Sequence, residues 1–156
     1  MDWPIPFDEL VAVLRSAGAP ASGQATVRHS SMCYGCGEAN PDGLRLDIYA
    51  GEGVGACTTL SADWRLAGDE NFIRPGILAA AVHEVADHAL QQTGLLASVV
   101  NVKVDFPEPV PVGALVRIGA RVIGAFRNRV YVDVTANILD GDKPVGSALA
   151  IFECEA

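Results

Sequence analysis

The densest run of titratable residues in the chain is His83-Glu84-Val85-Ala86-Asp87-His88. A zinc-hydrolase motif on a helix needs two histidines four residues apart, so that both face one metal ion. Here they are five apart, which argues against that chemistry. The pairs that do lie one turn apart are His83 with Asp87 and Glu84 with His88. Each can form a carboxylate–imidazole hydrogen bond that fixes a tautomer. For His83 with Asp87 the residue types favour catalysis or substrate contact over the alternative, a polar pair satisfied mutually at a subunit interface. For Glu84 with His88 a structural or solvated pair is the expectation.

Arg74 stands just before this segment, beside Pro75 and Gly76. An arginine next to a helix N-terminus concentrates positive potential and suits a carboxylate or phosphate. Asn71 in the preceding loop can position a carbonyl or a water, although turn chemistry explains an Asn there as well. Arg127 and Arg129 flank Asn128 at a turn into a strand, where guanidinium groups either meet phosphates or are simply solvated. Cys33 and Cys36 have a C-x-x-C spacing that suits a redox pair or half a zinc site. No second close pair completes such a site, and the interleaved Gly35 and Gly37 read as a tight loop whose thiols pack inward. No metal and no cofactor are expected.

These residues need a scaffold, and 156 residues of which half are apolar suffice for one domain with a substantial core. A formal net charge of −8 with no basic run excludes nucleic acid as a partner. It leaves open a polyanionic small molecule held by a few local arginines. The opening stretch MDWPIPFDELVAVL carries acids and is too short to span a bilayer, so no membrane partner is expected and the reading is a cytoplasmic protein with four reduced cysteines. Phe7, Leu10, Val11 and Leu14 have helical spacing, and AGAPASGQA after them reads as a linker, so residues 1–24 are set apart from a domain over 25–156.

From Gly76 to about Gln92 the run GILAAAVHEVADHALQQ predicts a mostly buried helix, started by Pro75 and stopped by Gly94. Strands are predicted on Leu44, Leu46 and Ile48, over Gly55 to Leu60, Ser98 to Phe106, Ala114 to Gly124, Arg127 to Leu139 and Pro144 to Glu153. Asp140-Gly141 supplies the positive φ angles of a tight hairpin turn. The expected class is therefore α+β: an antiparallel sheet of about six strands covering one long central helix, with a short N-terminal helix.

Three segments carry a resemblance to a known family. Cys33-Tyr-Gly-Cys-Gly-Glu-Ala-Asn-Pro-Asp-Gly-Leu-Arg-Leu46 resembles the loop before the first strand in many hotdog-fold thioesterase-superfamily proteins. Val102-Lys-Val-Asp-Phe-Pro-Glu-Pro-Val-Pro-Val-Gly113 resembles the strand and proline-rich turn after their helix. The helix with its approach, Asn71 to Glu84, is similar in pattern. The resemblance implies the hotdog fold, a homodimer or homotetramer, and an acyl-CoA or related acyl-thioester ligand at the dimer interface. Family members carry His-Gly-Gly at the start of the helix and an acid two turns on. Those positions fall on Arg74, Pro75 and Gly76, and on His83. Proline offers no N–H, so Gly76 becomes the implied oxyanion donor, with His83 supported by Asp87 as general base and Glu84 in reserve.

Thioester hydrolysis is the leading expectation. Arg74-Pro-Gly-Ile-Leu78 also looks like the start of the helix in hotdog dehydratases, but Ala67 and Ala81 occupy the positions of their His and acid. The alternative of another class is a hotdog dimer that binds an acyl or aromatic ligand without turnover, favoured by Pro75 and His83.

Overall fold

The computed structural model describes residues 21–155; the helix expected between Phe7 and Leu14 lies outside them. The central helix α1 spans Pro75–Gln91. Proline at its first position fixes φ where no intrahelical N–H bond is lost, and the Ala and Leu run behind it favours propagation. Leu78, Ala81, Val82, Val85 and Ala89 are all buried, and the small alanines let the helix approach the sheet closely. It ends where the N–H and hydroxyl of Thr93 both donate to Leu90 O and Gly94 turns to φ +69°.

Six strands form one antiparallel sheet: β1 Tyr49–Gly51, β2 Gly55–Ser61, β3 Ala97–Asp105, β4 Leu115–Phe126, β5 Arg129–Ile138 and β6 Lys143–Cys154. Their order is β1-β2-β4-β5-β6-β3. The α+β expectation of about six antiparallel strands around one long helix is met. Alternation decides which face is inside: Val116, Ile118, Ala120 and Val122 of β4, and Val130, Val132, Val134 and Ala136 of β5, all point to the core with α1. Phe152 of β6 is buried among them.

The two edges of the sheet differ. Residues 23–26 run along β1, where Gly23 N–H donates to Ala50 O at 2.7 Å, Ala50 N–H to Gln24 O at 2.7 Å and Thr26 N–H to Ile48 O at 2.9 Å. At the other edge β3 pairs only with β6, and a bulge between Val99 and Asn101 interrupts even that ladder. Val99 and Val100 are 40% and 48% exposed, so this edge has no cover among the described residues.

Two local expectations change. The strand placed on Leu44, Leu46 and Ile48 begins only at Tyr49. Leu46 and Ile48 are buried, but the N–H groups of Leu44 and Leu46 donate to Tyr34 O and Gly35 O, so this stretch pairs with the cysteine loop. The Ile138–Lys143 turn takes its positive φ angles at Gly141 and Asp142, not at Asp140. Among the described residues no helix is long and apolar enough to cross a membrane.

Candidate functional site

The start of α1 presents Arg74, Pro75 and Gly76, all exposed. Arg74 is the N-cap residue by position, yet its side chain makes no capping hydrogen bond. Ile77 N–H closes onto Arg74 O at 3.0 Å, while Gly76 N–H has no partner among the described residues and open space where a Cβ would stand. This leaves a free donor at the positive end of the helix dipole. Asn71 is held from below: Asp69 Oδ1 accepts from Asn71 N–H at 2.8 Å and from Phe72 N–H at 2.9 Å, bonds that also hold the Asp69 carboxyl below its usual range. Beside this turn lies an apolar cavity of about 240 Å³ lined by Ile73, Pro75, Leu78, Phe106, Pro109 and Val110.

His83 is half-buried, and its ring lies parallel to that of Phe152, 6.4 Å away between centroids and 14° between planes. Seven residues separate Gly76 from His83, so they share a helix face, about 20° apart around the axis and about 10 Å along it. Asp87 does not support His83. Its carboxylate accepts instead from His29 Nε2–H at 3.1 Å. Helical spacing allowed the His83–Asp87 pair, but Asp87 lies on the flank of the helix facing the cysteine loop, where a cationic imidazole attracts it more strongly than a neutral one would.

Glu84 is buried on that side. Its Oε1 accepts from His29 Nδ1–H at 2.8 Å, from His88 Nε2–H at 3.2 Å and from the Cys33 thiol at 3.4 Å. The Thr26 hydroxyl donates to Ile48 O at 2.9 Å, and its oxygen lies 2.7 Å from His88 Nδ1, within hydrogen-bond distance. Burial pushes the Glu84 carboxyl up, but hydrogen bonds from His29 and His88 outweigh it and hold the carboxyl well below the usual carboxylate range. Such a carboxylate is a poor proton acceptor, which argues against the reserve-base role. Hydrogen bonds to Asp87 and Glu84 outweigh desolvation at His29 and raise it to about 11. Burial, with the Glu84 carboxylate, pushes the Cys36 thiol up to about 11. The loop hugs the helix so closely that a Cβ on Gly35 would stand 2.3 Å from the Glu84 side chain, which requires glycine there. His29, Cys33, Cys36 and Glu84 thus place one donor atom each within 4.8 Å of one another.

Arg127 and Arg129 sit elsewhere. Arg127 takes a left-handed φ of +56° in the two-residue β4–β5 turn and covers the Phe126 ring at 5.4 Å. Arg129 pairs with Glu153 at 3.2 Å. That turn lies at the sheet end holding Cys154, whereas the start of α1 lies against Val110 and Gly146. The nine residues of β6 from Gly146 to Cys154 set the two ends roughly 25 Å apart within one chain. Sequence reasoning missed His29 and Thr26, whose partners come from a distant helix. The one available signal was the spacing His29-x-x-x-Cys33-x-x-Cys36.

No family model and no curated protein matches the sequence. Solved structures do match. A thioesterase superfamily protein superposes with a TM-score of 0.74 at 13% identity, over 98% of this chain and 81% of that one. The PaaI protein from the phenylacetic acid degradation operon of E. coli gives 0.67 at 18% identity, over 72% and 81%. A Streptococcus mutans protein bound to acetyl CoA gives 0.66 at 16% identity, over 71% and 89%. The chain has the hotdog fold shared by these thioesterase-superfamily structures.

Proposed function

We propose that this protein hydrolyses an acyl-CoA or related thioester at a surface formed by two copies of the chain. The observation that carries the reading is the unpartnered Gly76 N–H at the positive end of α1, opening beside an apolar cavity. A thioester carbonyl placed there receives a hydrogen bond that strengthens as negative charge develops on its oxygen. The acyl group enters the cavity of Ile73, Leu78, Phe106 and Val110, and Arg74 faces the anionic part of the ligand. His83 acts as general base towards water, its ring held beside Phe152.

Two helical turns separate Gly76 from His83 in one chain, too far for both to serve one carbonyl directly. A second copy joined along the open β3 edge offers the donor of one chain to the base of the other. The acetyl CoA bound by the Streptococcus mutans protein supports a ligand of this class.

Thiol release from short, medium, long-chain and aromatic acyl-CoA thioesters tests the proposal. Turnover by the native chain, lost in His83→Ala with the fold retained, is the expected result. Saturable binding without thiol release across the panel would replace hydrolysis with ligand binding, the reading that Pro75 and the His83 substitution otherwise favour.

A further inference from the structure

We propose that His29, Cys33, Cys36 and Glu84 form a structural zinc site that clamps the cysteine loop onto α1. The donor set is the first argument. Two sulfurs, one imidazole nitrogen and one carboxylate oxygen are the ligand types zinc takes, and four protein donors make a closed site with no position left for substrate. Geometry is the second. Cys33 Sγ lies 3.8 Å and Cys36 Sγ 3.6 Å from His29 Nδ1, and Cys33 Sγ lies 3.4 Å from Glu84 Oε1. Tetrahedral bonds of about 2.3 Å to sulfur and about 2.0 Å to nitrogen and oxygen give donor–donor edges of roughly 3.3–3.8 Å. The 2.8 Å edge between His29 Nδ1 and Glu84 Oε1 must open, and it is the edge a shared proton holds closed; the longest edges, up to 4.8 Å, must close by about 1 Å as the ion draws the sulfurs in. Binding releases that proton and the two thiol protons to solvent, leaving two thiolates, a carboxylate and a neutral imidazole around a dication.

The surroundings are those of a ligand shell. His29 N–H donates to Cys36 Sγ at 3.3 Å, a bond that favours a thiolate over a thiol. Gly37 N–H donates to Cys33 O at 2.8 Å, and a Cβ at Gly37 would collide with Cys33 backbone, so the turn between the sulfurs is tight enough to aim both one way. The far nitrogen of His29 donates to Asp87, the carboxylate–histidine arrangement that orients a metal-bound imidazole. His88 donates to the Glu84 oxygen and is itself fixed by Thr26. Cys36 and Glu84 are buried, Cys33 is half-buried and His29 is exposed, so the ion would sit in the seam between loop and helix, shielded on the helix side. This site lies on the flank of α1 away from Phe152, and so is separate from the reaction proposed for His83.

The test is metal content of the full chain, prepared without a polyhistidine tag and dialysed against metal-free buffer. About one zinc per chain is expected, lost in Cys33→Ser, Cys36→Ser and His29→Ala and kept in Cys57→Ser. Exchange of cobalt(II) into the native chain provides a measurement that needs no variant to fold. A thiolate-to-cobalt charge-transfer band with the visible bands of a tetrahedral ion is expected. Folded protein with all four thiols reduced, only trace zinc and no such band on adding cobalt would overturn the site. Full retention of the metal in a folded Cys33→Ser/Cys36→Ser double variant would overturn it equally. Neither result depends on thioester turnover.

Discussion

His83 and Glu84 follow one another along α1, yet His83 lies beside Phe152 on the sheet while Glu84 is buried beneath the cysteine loop against His29. One residue along a helix is about 100° of rotation, enough to place neighbours in unrelated environments. The half-buried imidazole keeps access to a ligand, whereas the carboxylate already holds three hydrogen-bond donors.

Exchanging the two residues separately should therefore give opposite results. Glu84→Gln removes the buried carboxylate that His29 and His88 donate to and is expected to destabilise by about 2–3 kcal/mol, less than a fully buried pair because His29 is exposed and keeps Asp87. His83→Ala is expected to cost under about 1.5 kcal/mol while abolishing thiol release. Urea unfolding and thiol release on both variants decide. An inactive but fully stable Glu84→Gln beside an active His83→Ala would reverse the assignment.

Arg74 is exposed and makes no capping bond, so Arg74→Ala should leave the unfolding midpoint nearly unchanged. If its guanidinium meets an anionic group of the ligand, KM for an acyl-CoA rises roughly 10- to 100-fold, as expected for losing about 1.5–3 kcal/mol of charge-assisted hydrogen bonding. A KM within twofold of native would place the phosphates elsewhere, with Arg127 and Arg129 as the next candidates.

The fold was legible because its signals are periodic. The predicted Gly76 to Gln92 helix and the observed Pro75–Gln91 differ by one residue at each end, and β2 to β6 fall within about two residues of their expected bounds. Alternation at Leu44, Leu46 and Ile48 reported the burial of Leu46 and Ile48 but not the pairing, since the N–H groups of Leu44 and Leu46 go to a loop. At the site, the roles of Gly76 and His83 came from the resemblance and stay proposals, while the i,i+4 spacing paired His83 with Asp87, which bonds His29 instead. A helical i,i+4 spacing states which partners are possible, and charge on a distant loop selects among them. The His29, Cys33 and Cys36 spacing was present in the sequence, whereas the fourth donor, Glu84, is brought up only by the packing of α1 beneath the loop.

The open β3 edge gives a prediction about assembly. Val99→Lys with Val100→Lys adds charge to two exposed positions beside the bulge. Charged edge residues oppose strand pairing, so if the proposed dimer forms along β3, light scattering should show it reduced to a monomer with its far-ultraviolet dichroism intact. An unchanged mass would move the proposed interface away from β3.

Asp87→Asn tests how His29 is oriented. The amide keeps the size of the side chain but removes the negative charge that accepts from His29 Nε2–H at 3.1 Å. Loss of such an outer partner typically weakens a metal site 10- to 100-fold, to be read by competition with a chromophoric chelator. Zinc affinity equal to native would mean that the imidazole is held by the loop alone, through Cys36 and its neighbours.

Phe152 links stability to the site. Its side chain is 1% exposed in the core and its ring lies parallel to His83. Phe152→Ala should destabilise by about 3–5 kcal/mol through the cavity it leaves. It also removes the surface that restrains the imidazole, so kcat should fall at temperatures where the variant is still fully folded. Phe152→Leu separates the two effects: it fills most of the space, at a cost nearer 1 kcal/mol, but offers no flat ring to His83. If Phe152→Leu loses turnover while staying folded, the aromatic face positions the base; if it keeps native kcat, Phe152 serves packing alone, and His83 is oriented by the ligand or by the second copy.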